Sequence, residues 1–76
     1  MRKQKAKPLV RFGEQVRALR EQREWTQEQL AEKADLDQTY VSGIERGIRN
    51  PTIISVVKLA SALKATVSDL CEGIER

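Results

Sequence analysis

Apolar residues recur along the chain at helical spacing, and no segment shows the alternation that is typical of a strand. Phe12, Val16 and Leu19 lie four and three residues apart, which places them on one face of a helix. This first helix is predicted over about residues 11–23. Pro8 is expected to mark its upstream limit, because the residue before a proline avoids the helical conformation.

Two short helices joined by a tight turn follow. Thr26 begins a capping-box sequence, so a second helix is predicted over about residues 26–34. Asp35 tolerates the left-handed conformation that ends a helix, and Asp37 supplies a side-chain acceptor for the next one. A third helix is predicted over residues 38–46. This layout is typical of a helix-turn-helix.

The last part of the chain predicts two more helices. Gly47 is well placed to end the third helix, and Thr52 caps a fourth. The apolar stripe of the fourth helix is predicted to comprise Ile53, Val56, Val57, Ala60 and Leu63. Lys64 stands where a glycine would ease the exit from this helix, and Thr66 begins a short fifth one. The predicted fold class is all-α, a compact five-helix domain.

Basic charge is concentrated at the start of the chain. The 76 residues carry a net charge of +3, yet residues 1–11 hold five basic side chains and no acidic one. The sequence therefore predicts a basic arm over residues 1–10 and a helix-turn-helix domain over residues 11–76. The arm fits an accessory segment that contacts phosphates, and equally a solubilising leader.

Composition argues against several classes of protein. Cys71 is the only cysteine, so the chain cannot form an internal disulfide. The chain has no histidine, which argues against a metal site and removes the commonest general base. An enzyme is not expected, and neither is a cofactor. No apolar run is long enough to cross a bilayer or to follow the first residues as a signal peptide, so a soluble cytoplasmic protein is expected.

Polar residues of the third helix gather on the side away from its apolar residues. At about 100° per residue, Val41 and Ile44 define the core side. The opposite side carries no acid and presents Thr39, Ser42 and Arg46, with Gln38 on its flank. These groups suit base edges or phosphates, although a solvated helix face is the alternative interpretation. Gly43 costs about 0.5–1 kcal/mol in mid-helix relative to alanine, which favours close approach of a backbone or another surface.

Three sequence runs carry a resemblance to a known family. TQEQLA at 26–31, YVSGIERG at 40–47 and RNPT at 49–52 resemble the Cro/phage-repressor (Xre-type) helix-turn-helix proteins, over roughly residues 12–72. Residues 36–46 are also similar to the small controller proteins of restriction–modification systems. The resemblance implies a five-helix fold whose third helix enters the major groove of DNA.

The resemblance also implies a role for individual residues. The positions that match base-reading residues are Gln38, Thr39 and Ser42, with Tyr40 at the groove edge and Arg46 reaching either a guanine or a phosphate. The expected phosphate contacts are Gln27, Arg17, Arg49 and Asn50, joined by Lys7 of the basic arm. Glu45 is expected to form a structural ion pair with Arg20, whose loss would leave one buried charge unpaired.

The predicted function is that of a sequence-specific, double-stranded DNA-binding transcriptional regulator that binds palindromic operator half-sites as a homodimer. The helix-five region is the expected interface, and Ile54 and Ile74, with Val57 or Leu70, are candidates for a dimer patch. No small-molecule ligand or membrane partner is suggested. The alternative is a protein-interaction module, such as an antitoxin-like adaptor, that uses the same fold without reading bases.

Overall fold

The structure, a computed structural model, describes residues 6–75, and this part of the chain folds into five helices. The helices are α1 (Lys7–Gln22), α2 (Gln27–Ala34), α3 (Gln38–Glu45), α4 (Ile53–Leu63) and α5 (Val67–Leu70). The described residues contain no strand, so the predicted all-α class with five helices is confirmed. None of these helices combines the length and apolar character that a membrane span requires.

Short oxygen-bearing side chains begin four of the five helices. The Thr26 hydroxyl accepts from the Gln29 N–H at 3.0 Å, and the Gln29 side chain accepts from the Thr26 N–H at 2.8 Å. The same reciprocal arrangement joins Thr66 and Asp69 at the start of α5. The remaining two caps are Asp37 on α3 and Thr52 on α4. A cap such as that of α2 contributes about 1 kcal/mol, so these positions define where the helices begin.

The first helix begins earlier than the apolar pattern predicts. α1 starts at Lys7 with Pro8 in its first turn. Proline is tolerated there because the N–H groups of a first turn have no helical partner. Pro8 thus lies at the upstream end of α1, one residue from its start, whereas the predicted start at about residue 11 is four residues late, and residues 7–10 are helical. The other basic residues of the predicted arm, Arg2, Lys3 and Lys5, lie outside the described residues.

Left-handed residues end the helices at the expected turns. Asp35 has φ 56° and ψ 49°, and Lys64 has φ 54° and ψ 43°. After Asp35, the Leu36 N–H returns to the Ala31 carbonyl at 2.9 Å and closes the turn of the helix-turn-helix. Gly47, with φ 75°, follows α3 in the same way.

Buried residues from all five helices form one core. Its members are Phe12, Val16, Leu30, Ala31, Ala34, Val41, Ile44, Val56, Leu59, Ala60, Leu63 and Leu70. Trp25 lies on the rim of this core, half-buried before α2. This core packs α3 against α1 and α2 against α4, while α5 packs against α1 and α4.

The fourth helix buries only part of the predicted stripe. Val56, Ala60 and Leu63 are buried as predicted. Ile53 and Val57 are 77% and 51% exposed, whereas Leu59 is fully buried. α4 carries apolar residues around most of its circumference, so periodicity permits more than one inner face. Packing against α2 and α5 selects the face that holds Leu59, and the apolar residues on the other side remain in contact with solvent.

Candidate nucleic-acid interface

The side of α3 that points away from the core is open to solvent. Val41 and Ile44 are 0% and 1% exposed and anchor the helix from the inside. This outer face consists of Gln38, Thr39, Ser42 and Arg46. Three of these residues are exposed and Ser42 is half-buried. The four residues that the sequence places together therefore share one accessible surface with no acidic side chain on it.

Two arginines at the end of this surface have no acidic partner within residues 6–75. Arg46 donates from Nε to the Ser42 carbonyl at 3.4 Å, and Arg49 forms no ion pair. The arginines that do meet a carboxylate pair as Arg11 with Glu14, Arg17 with Glu21 and Arg20 with Glu45. Uncompensated guanidinium groups beside a surface without acids create a positive potential that attracts an anionic partner.

A buried carboxylate joins α3 to both preceding helices. The Glu45 side chain, 2% exposed, accepts from Arg20 Nε at 2.7 Å and from Arg20 Nη2 at 3.0 Å. The same carboxylate accepts from Gln27 Nε2 at 2.9 Å. Arg20 also donates to the Trp25 carbonyl at 2.6 Å. This Glu45 hub, formed by Arg20, Gln27 and Glu45, fixes the outer face relative to α1 and to the first turn of α2.

The opposite charges of Arg20 and Glu45 stabilise each other within the Glu45 hub. The hydrogen bond with Glu45 raises the pKa of the Arg20 guanidinium, and the charges of Glu45 and Glu21 add to it against the opposing effect of burial. Bidentate pairs of arginine and carboxylate are stronger and more directional than neutral hydrogen bonds. Glu45 is therefore committed to the protein interior and is not available to a ligand.

Tyr40 braces the loop that follows α3. Its hydroxyl donates to Ser55 Oγ at 3.1 Å and accepts from the Thr52 N–H at 3.2 Å. Burial raises the pKa of the Tyr40 hydroxyl, but these hydrogen bonds and the nearby Arg49 charge outweigh it, and the pKa lies below its ordinary value. Because the Tyr40 hydroxyl is hydrogen-bonded to both Ser55 and Thr52, it is engaged within the protein, and its role as a groove-edge contact stays a prediction.

The remaining predicted phosphate contacts differ in their surroundings. Arg17 Nε lies 3.1 Å from Glu21 Oε2, so a phosphate would have to compete with that carboxylate. Asn50 is exposed in the loop before α4. Lys7 is exposed at the first residue of α1, one turn from Val10. An ideal Cβ on Gly47 would lie 2.9 Å from Val10 Cα, so the start of α1 lies beside the end of α3.

Sequence reasoning misses two residues that support this surface. Ser55 is buried and links Tyr40 to the cap of α4, and the Thr52–Ser55 spacing is the only sign of this link in the sequence. Gly13 lies where α1 crosses α3, and its missing side chain leaves room for the Ile44 and Glu45 carbonyls. The signal for Gly13 was the same as for Gly43, a glycine inside a predicted helix.

Comparison with known proteins agrees with this geometry. A family model described as helix-turn-helix matches residues 16–70. The chain belongs to this helix-turn-helix family. The match spans α2 and α3 together with most of the core, so the outer face lies within the part of the chain that defines the family.

Restriction–modification control proteins are among the proteins that resemble this chain over most of its length. The control protein C.MunI of a Mycoplasma species is 38% identical over 68 residues, which are 88% of this chain and 92% of the relative. The crystal structure of the restriction–modification controller protein C.AhdI from Aeromonas hydrophila matches with a TM-score of 0.80 and 44% identity. That match covers 82% of this chain and 94% of C.AhdI.

A further solved structure contains DNA. The biofilm master regulator SinR, crystallised in complex with DNA, matches with a TM-score of 0.75 and 32% identity, over 78% of this chain and 95% of that chain. Together with the control proteins, this structure identifies the present helix-turn-helix protein as a DNA-binding transcriptional regulator.

Proposed function

We propose that this protein reads specific sequences in double-stranded DNA by inserting α3 into the major groove, and that it acts in the cytoplasm. The observation that carries the proposal is the outer face, which is polar, accessible and free of acids. It lies next to Arg46 and Arg49, which have no acidic partner in the part of the chain that the structure describes. Groups of this kind donate to base edges and phosphates, and a protruding helix fits the width of a B-form major groove.

The residues divide by the part of DNA that each can reach. We assign base reading to Gln38, Thr39 and Ser42 at the start and middle of α3. Arg46 reaches a guanine or a phosphate from the end of the helix. The phosphate contacts assigned are Gln27, Arg49, Asn50, Arg17 and Lys7. Gln27 already anchors α2 to the Glu45 hub, which places the first turn of α2 beside the outer face.

A random pool of duplexes tests the proposed readout. Selection at moderate ionic strength is expected to enrich a palindrome whose halves are about 34 Å apart, one turn of DNA. Absence of enrichment, together with tight binding to a protein partner, would instead support an adaptor that uses this fold without reading bases. Competition with single-stranded DNA of the same composition provides the control for non-specific charge.

Arg46→Ala is expected to weaken binding to the selected duplex about tenfold, the effect of one charge-assisted hydrogen bond. If Arg46 contacts a base, the variant should lose its preference for that base at one position of the duplex. If it meets a phosphate, all duplexes are affected alike and the salt slope falls by about 1. Titration of a duplex series at several salt concentrations separates these cases. Lys33→Ala, which removes an equal charge from the end of α2, is the control, and an equal effect of both variants would contradict the assignment.

We propose further that the protein acts as a homodimer. One helix-turn-helix module contacts few base pairs and buries little surface, so two copies are needed for tight specific binding. Exposed apolar residues on α4 and α5 supply a candidate interface: Ile53, Ile54, Val57 and Val67. Leu70 is fully buried and Ile74 packs against the core, so neither serves as the exposed centre of this patch. Binding would then rise steeply as the protein accumulates.

Ile54→Glu is expected to shift the solution mass from dimer to monomer, because it introduces a charge where two apolar surfaces meet. Ile54 is 69% exposed, so the change leaves the fold of the single copy intact. Sedimentation over a range of concentrations measures the effect. Ala18→Glu, at an exposed position of α1, is the control. A mass equal to that of the parent protein would exclude this patch as the interface.

A further inference from the structure

A glycine in the middle of α3 has a local structural explanation. Gly43 is buried although it lies on the flank of the outer face. Glycine weakens a helix interior because it loses more backbone freedom on folding than other residues do. Something must therefore use the space that a side chain at this position would fill.

The Arg49 side chain uses that space. An ideal Cβ on Gly43 would overlap Arg49 Cγ and would lie 3.3 Å from Arg49 Cβ and Cδ. The backbone holds the same arrangement, because the Ile48 and Arg49 N–H groups both reach the Gly43 carbonyl, at 3.0 and 3.2 Å. The stem of Arg49 thus crosses α3 at the one position without a side chain.

The far end of Arg49 is held by the Tyr40 ring. The guanidinium carbon lies 5.2 Å from the ring centroid, within the range of a cation–π contact. Tyr40 is itself bonded to Ser55 and Thr52 of the α4 cap. No carboxylate of residues 6–75 pairs with this guanidinium, so its charge remains available along the flank of the outer face.

We propose that Gly43 is a positioning residue for DNA binding, the seat that admits the Arg49 stem and holds its guanidinium against Tyr40 beside the outer face. This inference rests on the proposed function, since it assigns Arg49 to the duplex. A guanidinium fixed before binding loses less rotamer freedom on contact than a free one, which favours affinity. The seat differs from a direct contact, in which Gly43 would be small because DNA itself approaches it.

Gly43→Ala is expected to leave the protein folded with a melting temperature close to that of the parent, since the gain in helix propensity offsets the cost of displacing the exposed Arg49 side chain. Affinity for the selected duplex is expected to fall about tenfold, as in Arg49→Ala. In the Arg49→Ala background, Gly43→Ala should not lower the affinity for the duplex any further, because both changes remove the same contact between Arg49 and DNA.

Tyrosine titration provides an independent measurement. Tyr40 is the only tyrosine in the chain, so absorbance of its phenolate reports one site. Both Gly43→Ala and Arg49→Ala should raise the Tyr40 pKa by a similar amount, because each removes a positive charge that stabilises the phenolate. An unchanged pKa in Gly43→Ala would show that Arg49 had not moved and would overturn the seat.

The affinities distinguish failure of the seat from failure of the proposed function. If the parent protein does not discriminate among duplexes, the proposed function fails. A second outcome is that the parent discriminates among duplexes while Gly43→Ala still weakens DNA binding in the Arg49→Ala background. In that case Gly43 contacts DNA directly, and only the proposal that Gly43 positions Arg49 is wrong. An Arg49→Ala variant that binds like the parent also overturns the seat, while readout through α3 stands.

Discussion

Replacing Glu45 with alanine is expected to lower the free energy of unfolding by about 3–5 kcal/mol, because it leaves Arg20 charged and unpaired in a largely buried position. Gln27 loses its acceptor at the same time. In a domain of this size, 1 kcal/mol corresponds to about 4–8 °C in melting temperature, so a loss of 12 °C or more is expected. DNA binding should fall as a consequence of the smaller folded fraction and of the less firmly fixed outer face, and not because a contact with the duplex is removed.

The measurement is thermal and urea unfolding followed by circular dichroism, with duplex titration well below the melting temperature. Glu21→Ala is the matched control, since Glu21 also pairs with an arginine but is 55% exposed. Such surface pairs contribute at most about 1 kcal/mol, and the control should melt close to the parent. Normal melting of Glu45→Ala combined with lost DNA binding would contradict the structural role of the hub.

Gly13→Ala is expected to destabilise the protein by about 1–3 kcal/mol, as overpacking of a close contact does. An added Cβ would lie 2.7 Å from the Glu45 carbonyl oxygen and even closer to that of Ile44. Both are backbone atoms of the last turn of α3, and they can yield only if α1 and α3 separate. Helix propensity alone predicts the opposite, a gain of about 1 kcal/mol.

The sign of the change therefore decides between the two effects. Ala18→Gly, at an exposed position of the same helix, measures the propensity difference without any tertiary contact. Gly13→Ala should melt below the parent and should also weaken DNA binding, because separation of α1 from α3 tilts the outer face. A Gly13→Ala variant whose melting temperature rises by as much as that of Ala18→Gly falls would show that the contact between α1 and α3 accommodates the added Cβ.

Local signals in the sequence were sufficient for the ends of most helices. Threonine and aspartate at the caps act on N–H groups two or three residues away, so Thr26 and Asp37 could be assigned without tertiary information. Asp35 in the left-handed conformation follows from the same short-range chemistry. Glu24, with φ 59°, could not be foreseen, because glutamate has no intrinsic preference for that region. Arg20 holds this turn by bonding the Trp25 carbonyl.

Features that depend on distant parts of the chain could not be predicted. The inner face of α4 is one, since apolar residues such as Ile53 and Leu59 are equivalent until another helix covers one of them. The reason for Gly43 is another, because it depends on the path of the loop that carries Arg49. The composition of the outer face, by contrast, depends only on the position of Val41 and Ile44 on a single helix. That face was accessible to sequence reasoning, and the Arg20–Glu45 pair that supports it followed from the family resemblance, whereas the supports at Ser55 and Gly13 were not foreseen.

The Glu45 hub has a thermodynamic consequence for association. Since one carboxylate ties α3 to α1 and α2, the recognition element cannot rotate or unwind without breaking a salt bridge in the interior. We therefore expect the duplex to meet a surface of α3 whose shape is already set, so that α3 docks without folding on contact. Calorimetry should then find no excess heat capacity change from ordering of α3 beyond the change that the contact area accounts for.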